Sequence, residues 1–222
     1  SDRAGAMNVP LQQHQAHTTV LPKPYLLFLG DITERNFAKT ALGLVDWAPD
    51  LCVGELVIEG ATVTAGLDRM SAEEAVRAGA KSVVIGVANQ GGIIPESWRG
   101  ALAEALEAGL DVVSGLHTPL GSIPILAETA KRTGRRLIDI RRPPPDLPVG
   151  TGRKRSGKRL LTVGTDCALG KKYTALAITR AFRQRGLDVD FRATGQTGIM
   201  ISGSGIPMDA VVSDFESGAA EV

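Results

Sequence analysis

Cysteine is nearly missing from these 222 residues: only Cys52 and Cys167 occur. Two thiols so far apart support neither a disulfide framework nor a zinc site, and the expected setting is a reducing cytoplasm. Aromatic residues make up 4% of the chain, too few for a surface on which nucleic-acid bases stack. Net charge is scarce as well. The 25 Lys and Arg against 24 Asp and Glu leave +1, which removes the long-range field that draws a protein to nucleic acid or to an anionic membrane. No apolar run reaches membrane-spanning length, and no signal peptide is visible. The expected partner is therefore a small molecule.

What the chain does have is alternation. Starting at Tyr25, "YLLFLGD", "LCVGELVI", "KSVVIGVA", "DVVSGLH" and "RLIDIR" read as apolar strands. Between them "RNFAKTALGLVDWA", "SAEEAVRAGA", "PESWRGALAEALEAGL" and "IPILAETAKRTG" read as amphipathic helices. Ser71 and Glu74 carry capping-box spacing, Pro95 suits a first turn and Gly134 a helix end. Apolar strands alternating with such helices predict an α/β fold with a parallel sheet covered on both faces. No GxGxxG follows Phe28, so a dinucleotide site of Rossmann type is unsupported.

A proline-, glycine- and base-rich stretch, "RRPPPDLPVGTGRKRSGKR", interrupts the pattern. Its cluster Arg153-Lys154-Arg155 with Lys158-Arg159 reads as a solvated linker, given the neutral total charge. The organisation expected is a tag-like 1–24, an α/β domain over 25–142, a linker over 143–158 and a second α/β domain from 159 to 222. That second unit reads as strand 160–163, helix 171–185, strand 188–194, loop 195–207 and strand 209–215, with a helix beginning near the end. Three strands are few for a P-loop domain, so the sequence is expected to stop inside it.

The second unit opens on "LLTVGTDCALGKKYTAL". A glycine-bounded loop between a strand and a helix turns backbone N–H groups inward at the positive end of a helix, and so cradles an anion. Gly164, Thr165, Asp166, Cys167, Ala168, Leu169, Gly170 and Lys171 form the candidate loop. The Mg²⁺-binding hydroxyl that follows Gly-Lys in most P-loops is missing, because Lys172 stands there and Thr174 comes two residues later. A second cation suits a phosphate-rich ligand bound without Mg²⁺, such as coenzyme A. ATP with Mg²⁺ is the alternative. Gln196 and Thr197, in "TGQTG", would lie at the same edge and reach that ligand.

Asp214 ends a predicted strand as a Walker-B carboxylate does, or else caps a helix; as a base it would take a proton from an amine. Cys167 has no base visibly paired with it, so a nucleophilic role is not assigned. In the first domain Asp31, Glu59, Asn89, His117 and Arg141 follow strands, where open α/β sheets bind ligands. His117 is a second candidate base or a structural histidine. Arg141, Arg142 and Asn89 are the candidates for holding substrate. No metal site is expected from the protein's own residues.

The motifs "VGTDCALGKKYTAL", "ATGQTGIMISGSGIPMDAVVSDFESGAAE", "VIGVANQGG", "GLDVVSGLHTPL" and "LIDIRRPPPDLPV" resemble a bacterial and archaeal P-loop family, once filed as a domain of unknown function and represented by DgcN-type D-glutamate N-acetyltransferases. The resemblance runs from about Tyr25 to the end. It implies an N-terminal Rossmann-like domain and a C-terminal P-loop domain similar to dethiobiotin synthetase. It also implies acetyl transfer from acetyl-CoA to the amine of D-glutamate in D-amino-acid catabolism, with the phosphate-loop role falling on Gly164 through Lys171. Lys172-Tyr173 departs from the small or apolar residue and Thr common in the family. An ATP-dependent ligase or kinase of dethiobiotin-synthetase type is the rival enzyme reading, and a nucleotide-binding module without catalysis the third. A homodimer or larger closed oligomer is expected.

Overall fold

The structure is a computed structural model that describes residues 19–154, 156–166 and 169–221. The expectations for residues 1–18, Arg155, Cys167 and Ala168 lie outside the described residues.

Five parallel strands form the main sheet: β2 (Tyr25–Gly30), β3 (Cys52–Val57), β4 (Ser82–Ile85), β5 (Asp111–Ser114) and β6 (Leu137–Asp139). Their spatial order is β3-β2-β4-β5-β6, so the winding reverses between β2 and β4. That point is the place where doubly wound sheets leave a crevice at the carboxyl ends of their strands. Every residue of β2 is buried, which is why its sequence is continuously apolar instead of alternating. Leu26 pairs with Val83, Val83 with Val112 and Val112 with Leu137, a row of branched side chains across the sheet.

Helices α1 (Lys39–Trp47), α2 (Ala72–Arg77), α3 (Glu96–Glu107) and α4 (Pro124–Thr133) cover it. The capping box at α2 is formed, with Glu74 N–H donating to Ser71 Oγ and Ser71 N–H to Glu74 Oε2. Pro95 is the N-cap of α3; α4 ends on Gly134 at φ 67°. Helix α3 buries Trp98, Leu102, Ala105 and Leu106, and Trp98 meets Phe28 edge-on at 5.4 Å.

The Trp98 indole donates to Asp31 Oδ1 at 2.7 Å and Ser97 Oγ donates to Oδ2 at 2.9 Å. The Trp98 bond above all, helped by Ser97 and opposed by partial burial, holds the Asp31 carboxyl below the usual range. A depressed folded pKa contributes stability above the unfolded value of about 4, and that contribution is lost as pH falls through the folded value. Asp31→Asn is therefore expected to lower the neutral plateau of a melting-temperature profile and to flatten its acid limb, the difference from the parent closing as pH falls through the folded value. An unaltered acid limb would refute this.

The second half departs from the expected strands. Helix α5 (Lys171–Gln184) forms as predicted, but residues 160–163 join no ladder, and Leu160, Leu161 and Val163 are exposed. A parallel strand exists only through hydrogen bonds to neighbours, and no described residue lies alongside them in a ladder. Over 188–194 the only pairing among the described residues is a bridge between Ala193 and Gly205. The loop expected over 195–207 contains helix α6 (Gln196–Ser202), whose Ile199, Met200 and Ile201 enter the same hydrophobic core as the sheet. The strand expected over 209–215 is a 3-10 turn at Met208–Ala210 followed by helix α7 (Ser213–Glu221).

Among the contacts that tie the halves together are an aromatic stack and a short ribbon. Trp47 of α1 stacks on Tyr173 of α5 at 5.8 Å, with the Arg180 guanidinium 4.6 Å from the Trp47 ring. A ribbon of β1 (Thr19–Val20) with β7 (Ser204–Gly205) continues through Leu21, whose N–H donates to Gly203 O. Residues 19–24, expected to precede the fold, are thus part of it. Ser82 Oγ also donates to Pro22 O at 2.7 Å. No described helix is long and apolar enough to cross a membrane.

Candidate active site

A cleft of about 340 Å³ opens at the carboxyl edge of the sheet. The segments following β4, β5 and β6 supply Asn89, His117 and Arg141; α1 contributes Thr40 and α6 contributes Gln196, Thr197 and Met200. Residues expected at three separate strand ends and in the "TGQTG" loop therefore share one cavity.

The chain turn at Gln90–Gly92 shapes one wall. Gly92 lies at φ 59°, and its carbonyl accepts the N–H groups of His117 at 2.8 Å and Thr118 at 3.1 Å. This sets His117 at the rim with its side chain exposed. Asn89 Nδ2 donates to Ile93 O at 2.9 Å, and Asn89 Oδ1 is buried with no hydrogen-bond partner.

Arg141 forms the opposite wall. Its Nε donates to Gly115 O at 2.8 Å, and its Nη1 donates to Asp209 Oδ2 at 3.0 Å. Gln196 Nε2 donates to both oxygens of Asp209, at 3.0 and 2.9 Å. Asp209 is a site residue that sequence reasoning missed. It opens the stretch read as a strand, and the functional carboxylate was sought at the other end, at Asp214. The turn at Met208–Ala210, closed by Ala210 N–H on Pro207 O, is what presents Asp209 to Arg141.

The phosphate-loop residues stand apart from this cleft. Gly164, Thr165, Asp166 and Leu169 are exposed, and Gly170 takes φ 90° before α5. The Lys171 ammonium folds back over the loop and donates to the Asp166 carbonyl, while Thr162 Oγ1 donates to Lys171 O at 3.0 Å. Lys172 turns the other way. Its Nζ lies 4.3 Å from the Tyr173 ring centroid, its stem runs beside Gly198 of α6, and burial lowers its pKa. Thr174 is exposed on α5.

Two expected site residues lie elsewhere. Asp214 sits exposed in the first turn of α7. Arg142 is exposed, its Nε 3.8 Å from Asp139 Oδ2. Among the described residues no group of three His, Cys, Asp or Glu could hold a metal ion. Burial pushes the Cys52 thiol up to about 11, so it is not an activated nucleophile.

Comparison with known proteins places these features in a lineage. Residues 53–143 match the Rossmann-like domain described as DUF1611_N, and residues 148–222 match the P-loop domain described as DUF1611_C, both domains of unknown function. A D-glutamate N-acetyltransferase of Pseudoalteromonas sp is 50% identical over 198 residues, covering 89% of this chain and 60% of that protein. A D-glutamate N-acetyltransferase of Tritonibacter scottomollicae is 51% identical over 202 residues, covering 91% and 61%. The crystal structure of a DUF1611 family protein from Anabaena variabilis ATCC 29413 matches with a TM-score of 0.74 at 36% identity, over 89% of this chain and 61% of that one. The chain thus spans about three fifths of the length of these relatives.

Proposed function

The chain belongs to the DUF1611 family, with its Rossmann-like and P-loop domains, and on that premise we propose that it serves acetyl transfer from acetyl-CoA to the amine of an amino acid, D-glutamate first among candidates. The observation that carries this reading is the cleft, where an arginine, a histidine and two side-chain amides converge at the carboxyl edge of the sheet. The names of relatives at 50% and 51% identity supply the chemistry.

Whether the chain's residues suit a thioester of coenzyme A is a question of charge. Gly164, Thr165, Asp166 and Leu169 are exposed and the Lys171 ammonium arches over to the Asp166 carbonyl, which suits a cationic cradle for a diphosphate. Bound, acetyl-CoA supplies the acyl group on a thiolate leaving group.

The protein's own residues do the rest. Arg141, held at Nε and Nη1, offers its remaining N–H groups to a substrate carboxylate. His117, at the rim, takes the proton that the substrate ammonium must lose before its nitrogen can attack. Attack by that nitrogen on the acetyl carbonyl would form the C–N bond as the C–S bond breaks; the second proton the nitrogen sheds would neutralise the leaving thiolate, and His117 would return the first to solvent.

Thermal-shift titration of the full-length protein tests the reading. Acetyl-CoA and CoA at 100-fold their dissociation constants are expected to stabilise by about 2.7 kcal/mol, a rise of roughly 5–10 °C. Thiol release should then require D-glutamate or a related amino acid. Stabilisation by Mg-ATP alone would overturn the reading.

A further inference from the structure

The cleft contains an imbalance that its arginine does not explain. Asn89 and Gln196 both have their amide nitrogens committed. Asn89 Nδ2 is held by Ile93 O, and Gln196 Nε2 is shared between the two oxygens of Asp209. A carbonyl and a carboxylate only accept, so each amide must direct its nitrogen at that partner and its oxygen away from it. Both residues line the same cleft. Asn89 Oδ1 is buried without a partner, an arrangement that a folded protein retains at a cost unless a donor arrives.

We infer that Asp209 is a positioning residue that makes the cleft selective for an amine, by fixing Gln196 so that its Oε1 joins Asn89 Oδ1 as an acceptor for substrate N–H groups. The same carboxylate clamps Arg141 at 3.0 Å, leaving the guanidinium for a carboxylate a short distance away. Asp209 thereby orders the amine half of an amino-acid recognition set through Gln196. The carboxylate half keeps its own anchor, Arg141 Nε on Gly115 O at 2.8 Å, and an asparagine Oδ1 at 209 can still accept from Nη1. The inference rests on the acetyl-transfer reading for its substrate class, and it adds the group that recognises the amine. It also moves Gln196 from the phosphate ligand to the amino acid.

Asp209 is exposed, so Asp209→Asn removes the charge without removing buried volume. An asparagine there can donate as well as accept, which frees Gln196 to flip. Binding is measured by calorimetry on the full-length protein in the presence of CoA, with D-glutamate and with glutarate, the same dicarboxylate without the amine. The parent protein should prefer D-glutamate at least tenfold. Asp209→Asn should lose that preference by weakening D-glutamate at least tenfold while glutarate stays within twofold. Gln196→Leu, which deletes the acceptor and leaves Asp209 in place, should show the same selective loss, and Asp209→Glu should restore the preference. Equal weakening of both ligands, or of neither, would overturn the inference and leave the acetyl-transfer reading standing. A parent protein that binds neither acetyl-CoA nor D-glutamate would overturn both.

Discussion

Arg141→Leu in the full-length protein is expected to weaken D-glutamate binding by about 3 kcal/mol, roughly 100-fold. Three effects point the same way. The substrate carboxylate loses its charge-assisted bonds, each about 1.5–3 kcal/mol. Asp209, now without its cation at 3.0 Å, repels an incoming carboxylate. The neutral side chain also leaves Gly115 O without the donor that Nε supplied at 2.8 Å, so the wall of the cleft loosens. That last effect belongs to stability and is small, about 1 kcal/mol, or a few degrees of melting temperature.

Arg142→Leu is the control that separates binding from bulk charge. Its side chain is 68% exposed and only 3.8 Å from Asp139, a pairing of the kind that contributes at most about 1 kcal/mol. It should leave affinity within twofold. Calorimetry on both variants decides the matter, and similar losses from the two arginines would show that the cleft senses net charge and not a placed guanidinium.

The first half of the fold was legible because its signals are local. A strand buried on both faces writes an unbroken apolar run, as "YLLFLG" does. A capping box needs only Ser71 and Glu74, three residues apart. The second half resisted the same reasoning. Apolar runs at 160–163 and 209–215 look like strands, but whether a run joins a ladder depends on neighbours far away in sequence, and a run says nothing about them. Helix α6 hid for the opposite reason: its flanks "TGQTG" and "SGSG" are turn-like, yet Ile199, Met200 and Ile201 gain enough burial to order it. The glycine at position 203, at φ 82°, was the available sign of a helix end.

The site divides along the same line. Asn89, His117 and Arg141, which line one cleft, stand out in the sequence because strand ends in such sheets are few and their polar residues conspicuous. That Gln196 belongs with them, and that Asp209 holds the pair together, follows from contacts spanning up to 68 residues of sequence. No local pattern encodes these contacts.

Gly92→Ala should be among the most damaging small substitutions in the chain, and comparison with Gly91 shows why. Both glycines have positive φ, 59° and 77°, where an L-residue costs about 1–2 kcal/mol. At Gly91 nothing else opposes a methyl group, since the nearest atom would be Ile93 Cγ2 at 3.7 Å. At Gly92 the new Cβ would stand 2.5 Å from His117 Cδ2 and 3.0 Å from the His117 backbone nitrogen. The imidazole can swing aside, but the backbone nitrogen cannot move without stretching the bond it donates to Gly92 O. Overpacking of this kind adds about 1–3 kcal/mol, bringing the total at Gly92 to roughly 2–5 kcal/mol. The expected fall in melting temperature is about 5–15 °C for Gly92→Ala and about 2–6 °C for Gly91→Ala. Activity separates them further, because the Gly92 variant displaces His117, the base proposed above. A general base is worth about 10²–10⁴ in rate, so kcat for Gly92→Ala should drop by at least tenfold at temperatures where it stays folded, while Gly91→Ala remains within about threefold of the parent. If the two variants lose kcat alike, His117 is not the base.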